Sequence, residues 1–373
     1  MRDIVLPENL SVELSLLARG FLPAQDPASH FVRYPQFALL DEIGRDLPSL
    51  LMDRDFRAYV RKLDLPSWPV TATGVEDLPE LRLYYLRVGF LASAYVNQVG
   101  EPPIHVLPAN IAVPLCHACG LLQRPPILSY DGYALYNWKR FVPGGPIALG
   151  NIDTLQNFVH LYDEHWFILV HVEIEAAAAK LLEAMHGAFR AHASGDAPGL
   201  KRCLIVIRDA LRRQIEVLRR IPEKMDPALY YKTFRPYIRF FESVVYEGVD
   251  QKPIDHRGET GAQSSIMPAL VAFMKVPHKP SVLTDHLADM RHYMPAEHQS
   301  FIAEVEQMPD LREDCDRDAY NGILDAMATF REVHYGWAQQ YINQWTDDPR
   351  GTGGTPYMKW LKQLIDETLG HML

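Results

Sequence analysis

Fifteen histidines among 373 residues make metal and proton chemistry the first things to look for. No two of them lie three or four positions apart, the spacing that puts two side chains on one helix face. One Glu-x-x-His occurs, Glu183-Ala-Met-His186, with a weaker relative in Asp289-Met-Arg-His292. A carboxylate-bridged di-iron centre needs two such motifs and a further Glu from each of two other helices. The second motif starts with Asp and runs into Pro295, so the pair falls short of that set. Cys116-His-Ala-Cys119 lacks the second pair that a structural zinc site wants, since only the isolated Cys203 and Cys315 remain. Covalent haem attachment needs His directly after the second Cys, where Gly120 stands, so the motif reads as packed thiols near a helix end. Gly351-Thr-Gly-Gly-Thr355 has no Lys after its final Gly and no strand before it, so it is not a P-loop. It reads instead as a loop able to close over a site.

Three residues carry more chemistry. His171 sits in Trp166-Phe-Ile-Leu-Val-His-Val-Glu-Ile-Glu175, an apolar run that buries an imidazole. Such a ring is either a core histidine satisfied by a backbone carbonyl or by Glu175 one turn on, or a neutral group facing an apolar cavity and able to accept a proton. On a helix, His334 has Phe330 and Ala338 at i−4 and i+4, Trp337 at i+3 and Tyr341 at i+7. With Gly336 lowering the local profile, that face suits packing or a flat macrocycle whose iron takes one axial histidine. Arg235 is bounded by Tyr230, Tyr231, Phe234 and Tyr237. It is either a stacked surface residue or, turned inward, a planar fork for a carboxylate.

The elements that position these groups read as helices. Sixteen of the 28 prolines fall in residues 1–150 and four in 151–250, so short helices joined by turns should give way to long ones. Helical periodicity runs through 37–63, broken near Pro48, and 80–99, then 154–193, 200–220, 227–245, 297–307, 315–344 and 356–369. Alternating β-patterns of useful length are nearly absent, and the expected fold class is all-α. The segment 131–151, with Pro143-Gly-Gly-Pro146, reads as the connection between a small helical domain over 1–130 and a large one over 152–373. A net charge of −10 without a block of Lys or Arg argues against nucleic acid and anionic membranes as partners. Residues 104–123 carry no formal charge but hold Pro108, Asn110, Pro114 and two His, which makes a bilayer span implausible. With no secretory h-region and four Cys, the expectation is a soluble protein of the reducing cytoplasm.

These segments resemble the indoleamine 2,3-dioxygenase family of haem proteins, related to tryptophan 2,3-dioxygenase. The matching stretches are Arg124-Pro-Pro-Ile-Leu-Ser-Tyr130, Asn137-Trp-Lys139, residues 167–178, 230–235, Tyr246-Glu-Gly248 and Gly258-Glu-Thr-Gly-Ala-Gln-Ser-Ser265. They continue with Asp289-Met-Arg-His-Tyr-Met-Pro295, residues 331–334 and Gly351-Thr-Gly-Gly-Thr355, in family order over about two-thirds of the chain. The resemblance implies an oxidoreductase that inserts O2 across the indole C2–C3 bond of L-tryptophan or a close derivative, giving an N-formylkynurenine-type product in tryptophan catabolism. Its cofactor would be haem b, ferrous when it takes up O2.

Carried over position by position, the resemblance makes His334 the proximal iron ligand. Tyr130, Phe167 and Tyr230 become distal walls, and Arg235 the partner of the substrate carboxylate. Thr260 falls near the haem edge and substrate, Thr352 in the closing loop, and Arg331 near a propionate-side polar network. Phe167 and Thr260 thus serve substrate and cofactor together. Two departures bear on the substrate. His171 stands where the mammalian indoleamine enzyme has Ser and tryptophan 2,3-dioxygenase a distal His, which makes it the catalytic candidate. Tyr133 replaces a pocket Cys. Other functions compatible with this reading are a haem oxygenase of secondary metabolism acting on a modified tryptophan and a non-catalytic haem-binding protein. The indoleamine branch suggests a monomer or weak homo-oligomer.

Overall fold

The computed structural model describes residues 18–346 and 356–373, and among these ten helices have eight residues or more. In chain order they are α1 (Ala38–Leu50), α2 (Leu78–Val96), α3 (Ala109–Leu121), α4 (Tyr162–Ala193) and α5 (Ala197–Leu218). After them come α6 (Ile266–Phe273), α7 (Val282–Arg291), α8 (Ala296–Gln307), α9 (Arg317–Tyr341) and α10 (Tyr357–Leu369). The architecture is all-α, as the proline distribution and helical periodicity predict.

Apolar residues around its whole circumference put α4 inside the molecule. Its Ile168, Leu169 and Val172 join a core built on α1, α2 and α3, while Trp166, Val170 and Ile174 join a second core built on α5, α6 and α9. The helix is therefore the shared wall of the two cores. It turns back into α5 through Gly195, which has φ +70°, and Asp196, whose carboxylate caps α5 by accepting from the Gly199 N–H at 2.9 Å. Against α5 packs α9, started by the Asp316 cap at 3.0 Å from the Ala319 N–H. Two anchors fix its far end: the Trp337 indole donates to the Leu218 carbonyl at 3.2 Å, and the Tyr341 hydroxyl to the Met225 carbonyl at 2.8 Å.

Two expectations require correction. Residues 227–245 do not form one helix. Pro236 brings no N–H to a helical ladder, and the chain winds there as a π-turn over Tyr230–Phe234 and a 3-10 turn over Arg235–Ile238. It then straightens into a strand, Phe241–Tyr246, which pairs antiparallel with Asp250–His256 around Gly248 at φ +78°. Val106–Leu107 adds to the first of these strands in parallel, and Lys139–Arg140 pairs antiparallel with Ile152–Asp153. Nor do residues 154–161 extend α4, which starts at Tyr162. Within the segment expected to connect two domains, Asp131–Leu135 is a buried π-turn and Trp138 is buried, whereas residues 141–144 are exposed.

Candidate active site

A cavity of about 470 Å³ opens between α4, α6, α7, α9 and α10, within the roughly 300–1,000 Å³ of cofactor and ligand sites. His334 of α9 and His171 of α4 both stand on its surface. The His334 ring is exposed on the surface of this cavity. Surrounding protein and the nearby charge of His171 hold its pKa down at about 4. No hydrogen-bond partner engages either of its ring nitrogens among the described residues. His171 differs: its Nδ1 lies 2.7 Å from the Phe167 carbonyl. A carbonyl only accepts, so Nδ1 carries the proton and Nε2 keeps its lone pair. Burial lowers the His171 pKa. The two sequence readings of this residue thus hold together: a backbone carbonyl satisfies the ring, and the ring faces a cavity.

The groups present fit a flat macrocycle carrying a metal. An unengaged imidazole nitrogen projects from one wall, and apolar side chains such as Ile266, Val271, Leu287, Phe330 and Leu364 surround it. Polar groups gather at one side, where Arg291 pairs with Glu306 at 2.6 Å and His278 with Glu367 at 2.5 Å. The Nδ1 of His286 is buried there without a hydrogen-bond partner among the described residues. Arg331 also lines the cavity, but its guanidinium is engaged: Nη1 donates to the Leu364 carbonyl at 3.0 Å and to the Thr368 hydroxyl, holding α10 against α9. Sequence reasoning weighed His292 only in a di-iron motif that it set aside, and missed His286 and Arg291. Helical period does not join these two, which stand five positions apart on α7, so only the fold shows that both line the cavity.

Of the expected substrate residues, Tyr130 and Thr260 line the cavity with His171. Tyr133, Phe167, Tyr230 and Arg235 do not, and form the next layer behind His171. Phe167 joins that layer together, its ring centroid 4.5 Å from His171, 5.4 Å from Tyr230 and 6.3 Å from Tyr133. The Tyr133 hydroxyl turns away from the cavity and donates to Glu164 at 3.1 Å. Arg235 is buried with its guanidinium 5.1 Å from the Tyr231 ring centroid, and its Nε has no hydrogen-bond partner among the described residues. Thr352 and the Gly351-Thr-Gly-Gly-Thr355 loop lie outside the described residues. Thr260 belongs to a loop fixed by close backbone contact. A Cβ on Gly258 would meet the Ile238 carbonyl oxygen at 2.4 Å. The Gln263 amide spans the same loop, donating to the Gly258 carbonyl at 2.9 Å and accepting from the Tyr130 N–H at 3.0 Å.

Three buried acids surround this layer, none of them foreseen as site residues. Burial raises Glu164 to about 7, Glu175 to about 7 and Glu259 to about 8. Burial also lowers His256, His286, His298 and His334 to about 4. The two sets tilt stability in opposite directions. A carboxyl with a raised folded pKa contributes stability that is complete below its unfolded pKa and lost as pH rises through the folded value. A histidine with a lowered folded pKa costs stability as pH falls from about 6.5 towards 4. Where these windows overlap, below about pH 6.5, the terms offset, so the cofactor-free protein should be most stable near pH 6.5 and lose stability towards pH 8. Urea denaturation across that range checks this, and Glu259→Gln should flatten the alkaline side. A stability that climbs steadily to pH 8 would contradict the assignment.

Comparison with known proteins shows the family of the chain. The family model described as indoleamine 2,3-dioxygenase matches residues 16–371. Indoleamine 2,3-dioxygenase 2 of Homo sapiens is 30% identical over 364 residues, covering 89% of this chain and 88% of that protein. Indoleamine 2,3-dioxygenase of Saccharomyces cerevisiae is 28% identical, covering 94% and 90%. A 6-hydroxytryptophan 2,3-dioxygenase of Fusarium equiseti is 24% identical, covering 95% of each. No helix among the described residues is long and apolar enough to cross a membrane. The chain belongs to the indoleamine 2,3-dioxygenase family and is a dioxygenase of the tryptophan type.

Proposed function

We propose that the protein inserts both atoms of dioxygen across the C2–C3 bond of L-tryptophan or a close indole derivative, yielding an N-formylkynurenine-type product. What carries this reading is the pair of neutral imidazoles, His334 and His171, on the surface of one largely apolar cavity. His334 would hold haem b through its unengaged nitrogen, with Arg291 and His286 near the carboxylates at the haem edge. When bound, and ferrous, the haem would supply the oxygen-activating redox chemistry.

The rest is work for the side chains. His171 Nε2 accepts the indole N–H and fixes the ring, because its Nδ1 proton is already committed to Phe167. Phe167, Tyr130, Tyr133 and Tyr230 exclude water, which strengthens the few polar contacts in the site. Arg235 pairs with the substrate carboxylate, Thr260 flanks substrate and haem edge, and Thr352 closes over the amino-acid end. On this reading the protein works in the cytoplasm as a monomer or weak homo-oligomer. The Fusarium relative, named for a hydroxylated tryptophan, supports a second substrate class within the same chemistry.

The test is spectroscopic and then chemical. The reduced, air-free protein is titrated with L-tryptophan while its absorption is followed, air is admitted, and the product is identified by mass spectrometry. Expected is a saturable spectral shift followed by a product heavier than its indole substrate by one O2. A coloured protein that leaves every indole unchanged would overturn the proposal, and so would a colourless one that takes up no haem.

A further inference from the structure

Arg235 opens a short 3-10 turn that follows a π-turn, so no long helix fixes it relative to the wall that carries His334. A guanidinium on a flexible stem needs contacts of its own to hold its plane. Its Nε has no hydrogen-bond partner among the described residues. What it does have is the Tyr231 ring, with 5.1 Å from the guanidinium carbon to the ring centroid, close enough for cation–π attraction. Tyr231 in turn stacks on Trp345, the centroids 6.5 Å apart and the planes 21° from parallel. The Lys232 ammonium lies 5.3 Å from the Trp345 ring centroid. Two stacked rings therefore stand between two cations.

The far end of this ladder is tied to α9. Trp345 closes the 3-10 turn Asn343–Trp345 just beyond that helix, and its indole N–H donates to the Gln340 carbonyl at 3.1 Å. Gln340 belongs to α9, as does His334. A second contact runs alongside, where Tyr341 of α9 meets Tyr230 edge-on at 5.8 Å. Arg235 is buried, Tyr231 and Trp345 are half-buried and Lys232 is exposed, so the ladder runs from the interior to the surface. Neither ring is part of the cavity surface. We propose that Trp345, acting through Tyr231, is a positioning residue that registers the Arg235 fork against α9, so that one helix places both the carboxylate clamp and His334. The inference rests on the reading of Arg235 as partner of the substrate carboxylate. Misplacing a positioning group by about 1 Å can cost about 100-fold in rate, which is why a contact outside the cavity matters.

The experiment measures dissociation constants of the haem-loaded protein for L-tryptophan and for tryptamine, which lacks the carboxylate. The proteins compared are wild type, Trp345→Leu, Trp345→Phe, Arg235→Ala and the double variant of Arg235→Ala with Trp345→Leu. Trp345→Leu should weaken L-tryptophan binding about three- to tenfold, the scale of one cation–π contact, and leave tryptamine unchanged. Trp345→Phe keeps a ring face and should recover most of the affinity. In the Arg235→Ala background Trp345→Leu should cost nothing further, because residues acting through one group do not add. Where Trp345→Leu does not fold, Tyr231→Leu makes the same test from the middle of the ladder. Unchanged L-tryptophan binding in Trp345→Leu would overturn the proposal. So would an equal loss of tryptamine, or a loss that persists undiminished without Arg235, and both leave the reading of Arg235 intact. Equal L-tryptophan binding by Arg235→Ala and wild type would instead sink that reading itself.

Discussion

Replacing His334 with alanine should abolish stable haem binding. The ring stands on the cavity wall with no partner at either nitrogen among the described residues, and its depressed pKa keeps it neutral and ready to ligate through most of the acid range. The side chains around it on α9 are otherwise committed. Trp337 and Tyr341 anchor the helix to carbonyls of neighbouring segments, and Arg331 ties it to α10. The substitution therefore removes a ligand without unpinning the helix that carries it. Expressed with haem available, His334→Ala should purify without a Soret band, with helical circular dichroism unchanged. His171→Ala should keep the band and lose turnover. A Soret band of unaltered ligation in His334→Ala would refute the assignment, and transfer of the loss to His171→Ala would place the ligand on the opposite wall.

Much of this site could be read from the sequence because it stands on two long helices. The apolar run around His171 has to be inside, and the stripe of Phe330, His334, Ala338 and Tyr341 has to share a face. Helical period alone brings both imidazoles to definite surfaces. What period cannot give is depth. Phe167 and His171 are neighbours on one face of α4, yet His171 reaches the cavity whereas Phe167 packs into the layer behind it with Tyr133 and Tyr230. That division depends on contacts between segments far apart in the chain.

Residues 227–245 were misread for a related reason. Their apolar side chains also suit a helix, and the strand Phe241–Tyr246 exists because Val106–Leu107 and Asp250–His256 supply its partners. Tertiary context decides strand pairing far more than local pattern does. The helix α3 went unrecognised because Pro114 lies inside it, a residue that ordinarily ends such a reading. Cys119 of this helix is buried and its thiol pushed up to about 12, so the Cys116-His-Ala-Cys119 motif is packing. The acids were invisible for a different reason. Glu164, Glu175 and Glu259 look like any surface carboxylates until the fold removes water from them.

The position of Arg235 makes the second large prediction. Its guanidinium is buried, lies over Tyr231, and keeps an Nε with no hydrogen-bond partner among the described residues. A buried cation with an unused donor is destabilising until an anion arrives, and an amino-acid carboxylate has the shape that its fork accepts. Losing one partner of a buried charge pair costs about 2–5 kcal/mol. Arg235→Ala should therefore lower kcat/KM for L-tryptophan by about 30- to 4,000-fold, at tenfold per 1.4 kcal/mol. The loss must follow the carboxylate. Tryptamine, which has the same ring and amine without it, should be handled almost equally by wild type and variant, whereas general damage to the distal layer would depress both. Arg235→Lys keeps the charge but not the fork, and should recover only part of the tryptophan rate. If Arg235→Ala used tryptophan as well as the wild type, or lost tryptamine binding to the same degree, this arginine would be a packing residue of the layer behind His171.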